Sequence, residues 1–163
     1  MNRATAPNTG AVRIEPVTSR EQLEAAWRVR FTVFVDEQGV PADVEVDDLD
    51  EDPTTSHVLA VDGERVVGTG RLLLDAPGHV HLGRLAVLAE HRGRGVGALL
   101  VRGLEQAALD RHATGAPPRV VVVLSAQEAA MGFYRALGYE VVSGERYLDA
   151  GIWHQDMART LTR

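Results

Sequence analysis

Residues 91–97 read HRGRGVG, with Arg92 and Arg94 set among Gly93, Gly95 and Gly97 directly before ALLVRGLEQAALDRH. Glycines lack Cβ, so successive backbone N–H groups can converge on one point, and a helix dipole behind them adds positive potential. Two guanidinium groups add charge-assisted contacts, which suits a pyrophosphate ester. Spacing excludes two common loops of this kind. A Walker-type loop needs lysine, and all 17 basic residues here are Arg. A Rossmann turn needs G-x-G-x-x-G after the first strand, whereas these glycines give G-x-G-x-G after a fourth. What remains is R-x-x-G-x-G at Arg92, Gly95 and Gly97, between a strand and a helix.

A second chemical feature is acidic. Asp36 to Asp52 holds nine of the 23 acidic residues and no basic one. It is either a solvated loop or the mouth of a site for a cationic substrate. Arg30 and Arg71 offer a structural alternative, as buried partners for Glu45 and Asp47. The aspartates at 48, 50 and 52 begin like a calcium loop, but Pro53 stands where glycine is needed and Leu59 where the bidentate Glu is needed. With no cysteine and scattered His, no metal site is expected. The absence of cysteine also removes disulfides and any cysteine-linked acyl-enzyme.

Several elements must position these residues. VRIEPV (12–17) alternates as a strand, and Ser19 with Gln22 forms a capping box before a helix carrying Leu23, Trp27, Val29, Phe31 and Phe34 to about Val35. Residues 57–74 are two β-branched runs joined at Asp62-Gly63, a hairpin signal. HVHLGRLAVL (79–88) adds a strand. The helix after the glycine loop places Leu99, Leu100, Leu104, Ala107 and Ala108 on one face. RVVVVLSA (119–126) reads as a strand buried on both faces. Residues 127–138 read as a short helix ending at Gly138, with Phe133 and Leu137 as its core pair and Tyr134 turned away. YEVVS (139–143) and IWHQDMAR (152–159) close the sheet. The order β-α-β-β-β-α-β-α-β-β predicts an α/β (α+β) fold with a mixed, mostly antiparallel sheet flanked by helices.

The chain has 163 residues, 45% hydrophobic and 25% charged, which suits one soluble domain over 11–163 behind a disordered tail of residues 1–10. No apolar run is long enough to span a bilayer and no signal peptide is visible, so a cytoplasmic protein is expected. A formal charge of −6 argues against nucleic acid as a partner.

With those elements placed, the chain resembles the GNAT superfamily of acyl-CoA-dependent N-acyltransferases. HLGRLAVLAEHRGRGVGALL resembles its fourth strand, pyrophosphate loop and third helix, and VVVVLSAQEAAMGFYRALGYEVV its later strand and helix. RFTVFVDEQGVP, VEVDDLD and GERYLDAGIWHQDM are similar to the ElaA-type branch. The resemblance spans about residues 12–160.

It implies an N-acetyltransferase that moves an acetyl group from acetyl-CoA, as cosubstrate, to a primary amine by direct attack in a ternary complex. Leu85, Ala86 and Val87 would pair with the pantetheine arm, the Val87 N–H polarising the thioester carbonyl. Arg92, Arg94, Gly95, Val96, Gly97 and Ala98 would hold the pyrophosphate, with Gln127 also at the cofactor site. Tyr134 would be the general acid. Glu45, Asp47 and His154 are the candidates for contact with the amine, with His57 a further base candidate. The acceptor is expected to be a small-molecule or peptide amine, cationic if the acidic segment draws it in. No membrane partner is expected, and the protein would act as a monomer or homodimer. Two rivals remain open. Arg30 to Phe34, Glu45 to Asp50, and Arg71 also resemble the signature of acyl-homoserine-lactone synthases on the same fold. A non-catalytic acyl-CoA-binding protein is the other.

Overall fold

A computed structural model describes residues 12–163. The tail expected at residues 1–10 lies outside them. The chain runs β1 (Val12–Pro16), α1 (Arg20–Arg30), α2 (Ala42–Glu45), β2 (Ser56–Asp62), β3 (Arg65–Ala76), β4 (His79–Val87), α3 (Val96–His112), β5 (Arg119–Gln127), α4 (Met131–Ala136), β6 (Glu140–Asp149) and β7 (Ile152–Thr162). Apart from the short α2, within the segment read as an acidic loop, this is the order expected from the sequence. The strands form one seven-stranded sheet, β1-β2-β3-β4-β5-β7-β6. Among these neighbours only β4 and β5 are parallel.

Ser19 caps α1 by accepting the Gln22 N–H, but the Gln22 side chain accepts from the Thr18 N–H at 2.6 Å and from the Ser19 hydroxyl at 3.3 Å, in place of the Ser19 N–H of a capping box. The helix then widens into a π-helical stretch, Phe31–Glu37. The extra residue per turn shifts the buried stripe, so Arg30 and Val33 are buried while Phe31 and Phe34 are only half so.

Two glycines let α3 lie close to β3. A Cβ at Gly68 would stand 3.0 Å from Leu100, and one at Gly70 would stand 2.6 Å from Leu104. Arg71, one residue on, faces the other way, toward Asp50 and Arg30 of α1. Alternation along β3 therefore puts α3 on one face of the sheet and α1 with the acidic segment on the other.

Three local expectations are corrected. Leu99 is 41% exposed, and the buried face of α3 is Val96, Leu100, Val101, Leu104, Glu105 and Ala108. β5 is sealed on one face only. Val120, Val122, Leu124 and Ala126 lie under α3, whereas Val121 and Val123 are half-buried and Ser125 is exposed. The reason is that α1 packs mainly on β3, β2 and β4, so its cover falls on that half of the sheet. Finally, the closing hairpin is longer than YEVVS implied, because GERYLD continues β6.

Candidate active site

β4 and β5 pair only from His79↔Val121 to Leu82↔Leu124. Beyond that point they separate, β4 running on to Val87 and β5 to Gln127. The divergence coincides with a β-bulge. Thr69 pairs with Ala86 and Arg71 with Gly83, so Arg84 and Leu85 together oppose Gly70. Arg84 takes φ 48°, a left-handed conformation that costs a non-glycine residue about 1–3 kcal/mol. The Leu88 N–H goes to Val67 on β3, so strand alternation turns the N–H and C=O of Val87 the opposite way, into the gap.

The glycine loop closes the wide end of this gap. Gly93 and Gly95 have φ 76° and 80°, and added Cβ atoms would meet nothing within 4 Å. Gly95 is the N-cap of α3 and brings no capping side chain. The first bond of the helix runs from the Leu99 N–H to the Gly95 carbonyl at 3.2 Å, which leaves the N–H groups of Val96, Gly97 and Ala98 directed out of the helix end. Arg94 is exposed on the loop. Arg92 is turned back: its Nε donates to the Val87 carbonyl at 2.9 Å and its Nη2 to Glu37 at 2.5 Å. His91, buried behind the loop, pairs through Nε2 with Asp62 at 3.0 Å. These donors and this open space fit a pyrophosphate.

Tyr134 and Phe133 exchange the places expected for them. Tyr134 is 8% exposed and Phe133 37%. A Cβ on Gly97 would sit 3.1 Å from Phe133, so that ring covers the first turn of α3. A six-residue helix has too few turns for i, i+4 spacing to fix its inward face, and the glycine across from it gives Phe133 its seat. Tyr134 stands edge-on to Phe133 at 5.0 Å and to Tyr139 at 6.0 Å. Burial pushes its phenol up to about 12.

The acidic segment folds inward as a charge cluster. Arg30, 1% exposed, donates to Glu45 at 2.8 Å, to Asp50 at 2.7 Å and to the Glu45 carbonyl at 2.6 Å. Arg71 reaches Asp47 at 2.7 Å and Asp50 at 3.0 Å, and Trp27 donates its indole N–H to Asp50 at 3.0 Å. Arg84 lies 3.5 Å from both Glu45 and Asp47, and the Nε atoms of Arg71 and Arg84 are buried with no hydrogen-bond partner among the described residues. Burial alone would raise the Asp50 carboxyl, but hydrogen bonds and charge from Arg30 and Arg71 hold it below the usual range. Burial lowers His57, whose Nε2–H donates to the Asp50 carbonyl at 3.0 Å, so this histidine is a neutral structural donor. Glu45 is likewise 1% exposed and engaged by Arg30, which leaves it closed to an incoming amine. Asp47, with its side chain 33% exposed, stays at the surface of the cluster.

A third group lies on the open face of the sheet beyond the split. Register puts Gln127 opposite His154, Ser125 opposite Asp156, and Tyr147 opposite His154, all on one face. His154 is buried and donates Nδ1–H to the Ile152 carbonyl at 2.7 Å, which leaves the lone pair on Nε2. Its ring stacks on Tyr147 at 5.9 Å. The Tyr147 hydroxyl donates to Asp156 at 2.6 Å and also bonds Ser125. Gln127 donates to Gln38 at 3.0 Å, tying the end of β5 to the segment after α1. Ser125, Tyr147, Asp156, Glu37 and Gln38 were not singled out from sequence. Alternation along β5 and β7 could have found the first and third; Glu37 and Gln38 lie within RFTVFVDEQGVP, the segment similar to the ElaA-type branch, which assigned them no role.

Comparisons with known proteins agree with this geometry. The sequence profile of the acetyltransferase (GNAT) family matches residues 20–139. An uncharacterized N-acetyltransferase of Bacillus subtilis, YjcF, is 42% identical over 141 residues, 86% of this chain and 94% of that protein. The crystal structure of Escherichia coli ElaA superposes with a TM-score of 0.79 at 28% identity, covering 91% of this chain and 99% of that one. An acyl-CoA N-acyltransferase from Pseudomonas aeruginosa gives 0.78 at 30% identity with the same coverage.

Proposed function

Because the chain belongs to the acetyltransferase (GNAT) family, we propose that it transfers an acetyl group from acetyl-CoA to a primary amine by direct attack within a ternary complex. The observation that carries this reading is the parting of β4 and β5 after Leu82 and Leu124, with the gap opening onto the uncapped end of a 17-residue helix. An extended pantetheine arm fits along Leu85, Ala86 and Val87, and Val96, Gly97 and Ala98 offer N–H groups for its pyrophosphate. Gly93 and Gly95 keep that approach free of side chains.

The thioester supplies an activated acetyl group; this chain orients it and manages charge and protons. The Val87 N–H, turned into the gap, donates to the carbonyl oxygen as negative charge grows there. As the amine nitrogen bonds to the carbonyl carbon, the C–S bond breaks, and Tyr134 gives its proton to the departing sulfur. With its phenol pushed up to about 12, Tyr134 carries that proton throughout the range where amines become nucleophilic. The amine sheds its own proton to water. No cysteine is present to form a thiol-linked acyl-enzyme, which supports direct attack with both substrates bound. Asp47 and His154, through its free Nε2, remain the proposed contacts for the acceptor. Glu45 serves instead to hold Arg30.

The test is thermal unfolding with acetyl-CoA, followed by thiol release with an amine panel. A raised midpoint that is lost in Gly95→Glu supports the site, since a ligand of the native state stabilises by mass action. No shift with acetyl-CoA would remove the proposal. Parallel double-reciprocal lines would remove direct attack.

A further inference from the structure

We propose that Glu37 is a further carboxylate that receives the ammonium group of the acceptor, and that Arg92 masks it until the pyrophosphate of acyl-CoA takes that guanidinium. The inference rests on the acetyl-transfer reading above and adds to it an acceptor contact and an order of binding.

Most of the carboxylates around the site already have committed partners. Glu45 and Asp50 are 1% and 4% exposed and committed to Arg30. Asp156 accepts the Tyr147 hydroxyl, and Glu128 is held by two nitrogens of Arg146 and by Gln155. Glu37 is different. Its described bond is to Arg92, and the two side chains are 33% and 45% exposed, so water screens the pair and it is easily exchanged.

Position makes this carboxylate relevant. One guanidinium group bridges the Glu37 carboxylate and the Val87 carbonyl, the backbone that faces the gap where the thioester would lie. The next residue, Gln38, bonds Gln127 at the end of β5. Glu37 and Gln38 therefore strap the mouth of the gap from the β4 side to the β5 side. They come from the end of the π-helical stretch, a geometry that redirects a chain and recurs at functional sites.

Arg92 has two competing uses. It stands at the first position of R-x-x-G-x-G, within reach of the glycine loop, yet its Nε occupies the Val87 carbonyl and its Nη2 occupies Glu37. A pyrophosphate offers a guanidinium more charge than one carboxylate does. Turning Arg92 toward it frees the Val87 edge for the pantetheine arm and uncovers Glu37 for a cation in the same movement. The acceptor selected is thus an amine that arrives as its ammonium form.

The test uses Glu37→Gln with two readouts. Acetyl-CoA titration without amine should give a Kd lower by about threefold, because Arg92 has lost its competitor. In turnover with spermidine, cadaverine, lysine or tyramine, the KM for the amine should rise about tenfold or more, the loss of a charge-assisted contact, with kcat little changed. Glu37→Asp, which keeps the charge but shortens the reach to Arg92, should also tighten acetyl-CoA while raising the amine KM less. A structural role would move both constants the same way. Weaker acetyl-CoA binding by Glu37→Gln, or an unchanged amine KM in an active enzyme, overturns this inference and leaves acetyl transfer standing. Failure of the wild type to bind acetyl-CoA overturns both.

Discussion

Tyr134 is where residue identity and catalysis meet most directly. Its ring is packed between Phe133 and Tyr139, so Tyr134→Phe keeps the apolar contacts and removes only the proton donor. We expect kcat to fall by about 10²-fold or more, with acetyl-CoA binding unchanged in a titration. A drop of less than threefold would move the acid role elsewhere. The pH profile makes an independent demand. A phenol raised to about 12 stays protonated well above neutrality, so the rate should climb as the acceptor amine deprotonates and show no descending limb below about pH 10. A downturn near pH 8 in the wild type that vanishes in Tyr134→Phe would contradict the burial argument.

At the scale of elements, the bulge in β4 is the feature that makes a site out of a sheet, and Arg84 sits in it at φ 48°. Arg84→Ala and Arg84→Gly remove the same guanidinium from the cluster and differ in tolerance of a left-handed backbone. The glycine variant should be the more stable by about 1 kcal/mol, measured by urea unfolding, reversing the usual preference for alanine. Equal stabilities would mean that the strand straightens when the side chain is lost. The same scale shows what a sequence can and cannot carry. The strand and helix order and the glycine loop were legible because β-branched runs, the Asp62-Gly63 turn and R-x-x-G-x-G are local signals. The bulge was not, since nothing in HLGRLAV marks which residue is doubled against Gly70. Nor was the inversion of Phe133 and Tyr134, which depends on a glycine in α3 some 36 positions away in the chain. The acidic segment was half legible: its pairing with Arg30 and Arg71 was foreseeable from charge, but Asp50 as its centre follows from how residues 42–51 wrap.

Across the whole molecule, that centre joins parts that share little else. Asp50 takes Arg30 from α1, Arg71 from β3 and Trp27 one turn earlier, while its carbonyl takes His57 from β2. Removing one member of so buried a set leaves a charge without its partner, and Asp50→Asn should cost about 3–5 kcal/mol at pH 7. The sign of the acid dependence follows from the direction of the shift. The Asp50 carboxyl is held below its ordinary value, so its stabilisation is in full force above the unfolded-state pKa near 3.9. It fades as pH falls through the lower folded-state value. Wild-type stability should therefore decline steeply in that acid range, and Asp50→Asn should start lower and decline less. The consequence for function is spatial. The segment that supplies Glu37 and Gln38 to the mouth of the gap begins seven residues after Arg30 and returns to the cluster at Glu45, so both its ends are fixed by the same buried ions. Loosening the cluster should widen the strap before it unfolds the sheet. Asp50→Asn at neutral pH and low temperature should accordingly raise the amine KM while β4, β5 and α3 keep their native hydrogen-exchange protection. Loss of protection across the sheet together with the strap would show instead that the cluster holds the whole fold rather than the acceptor side of the site.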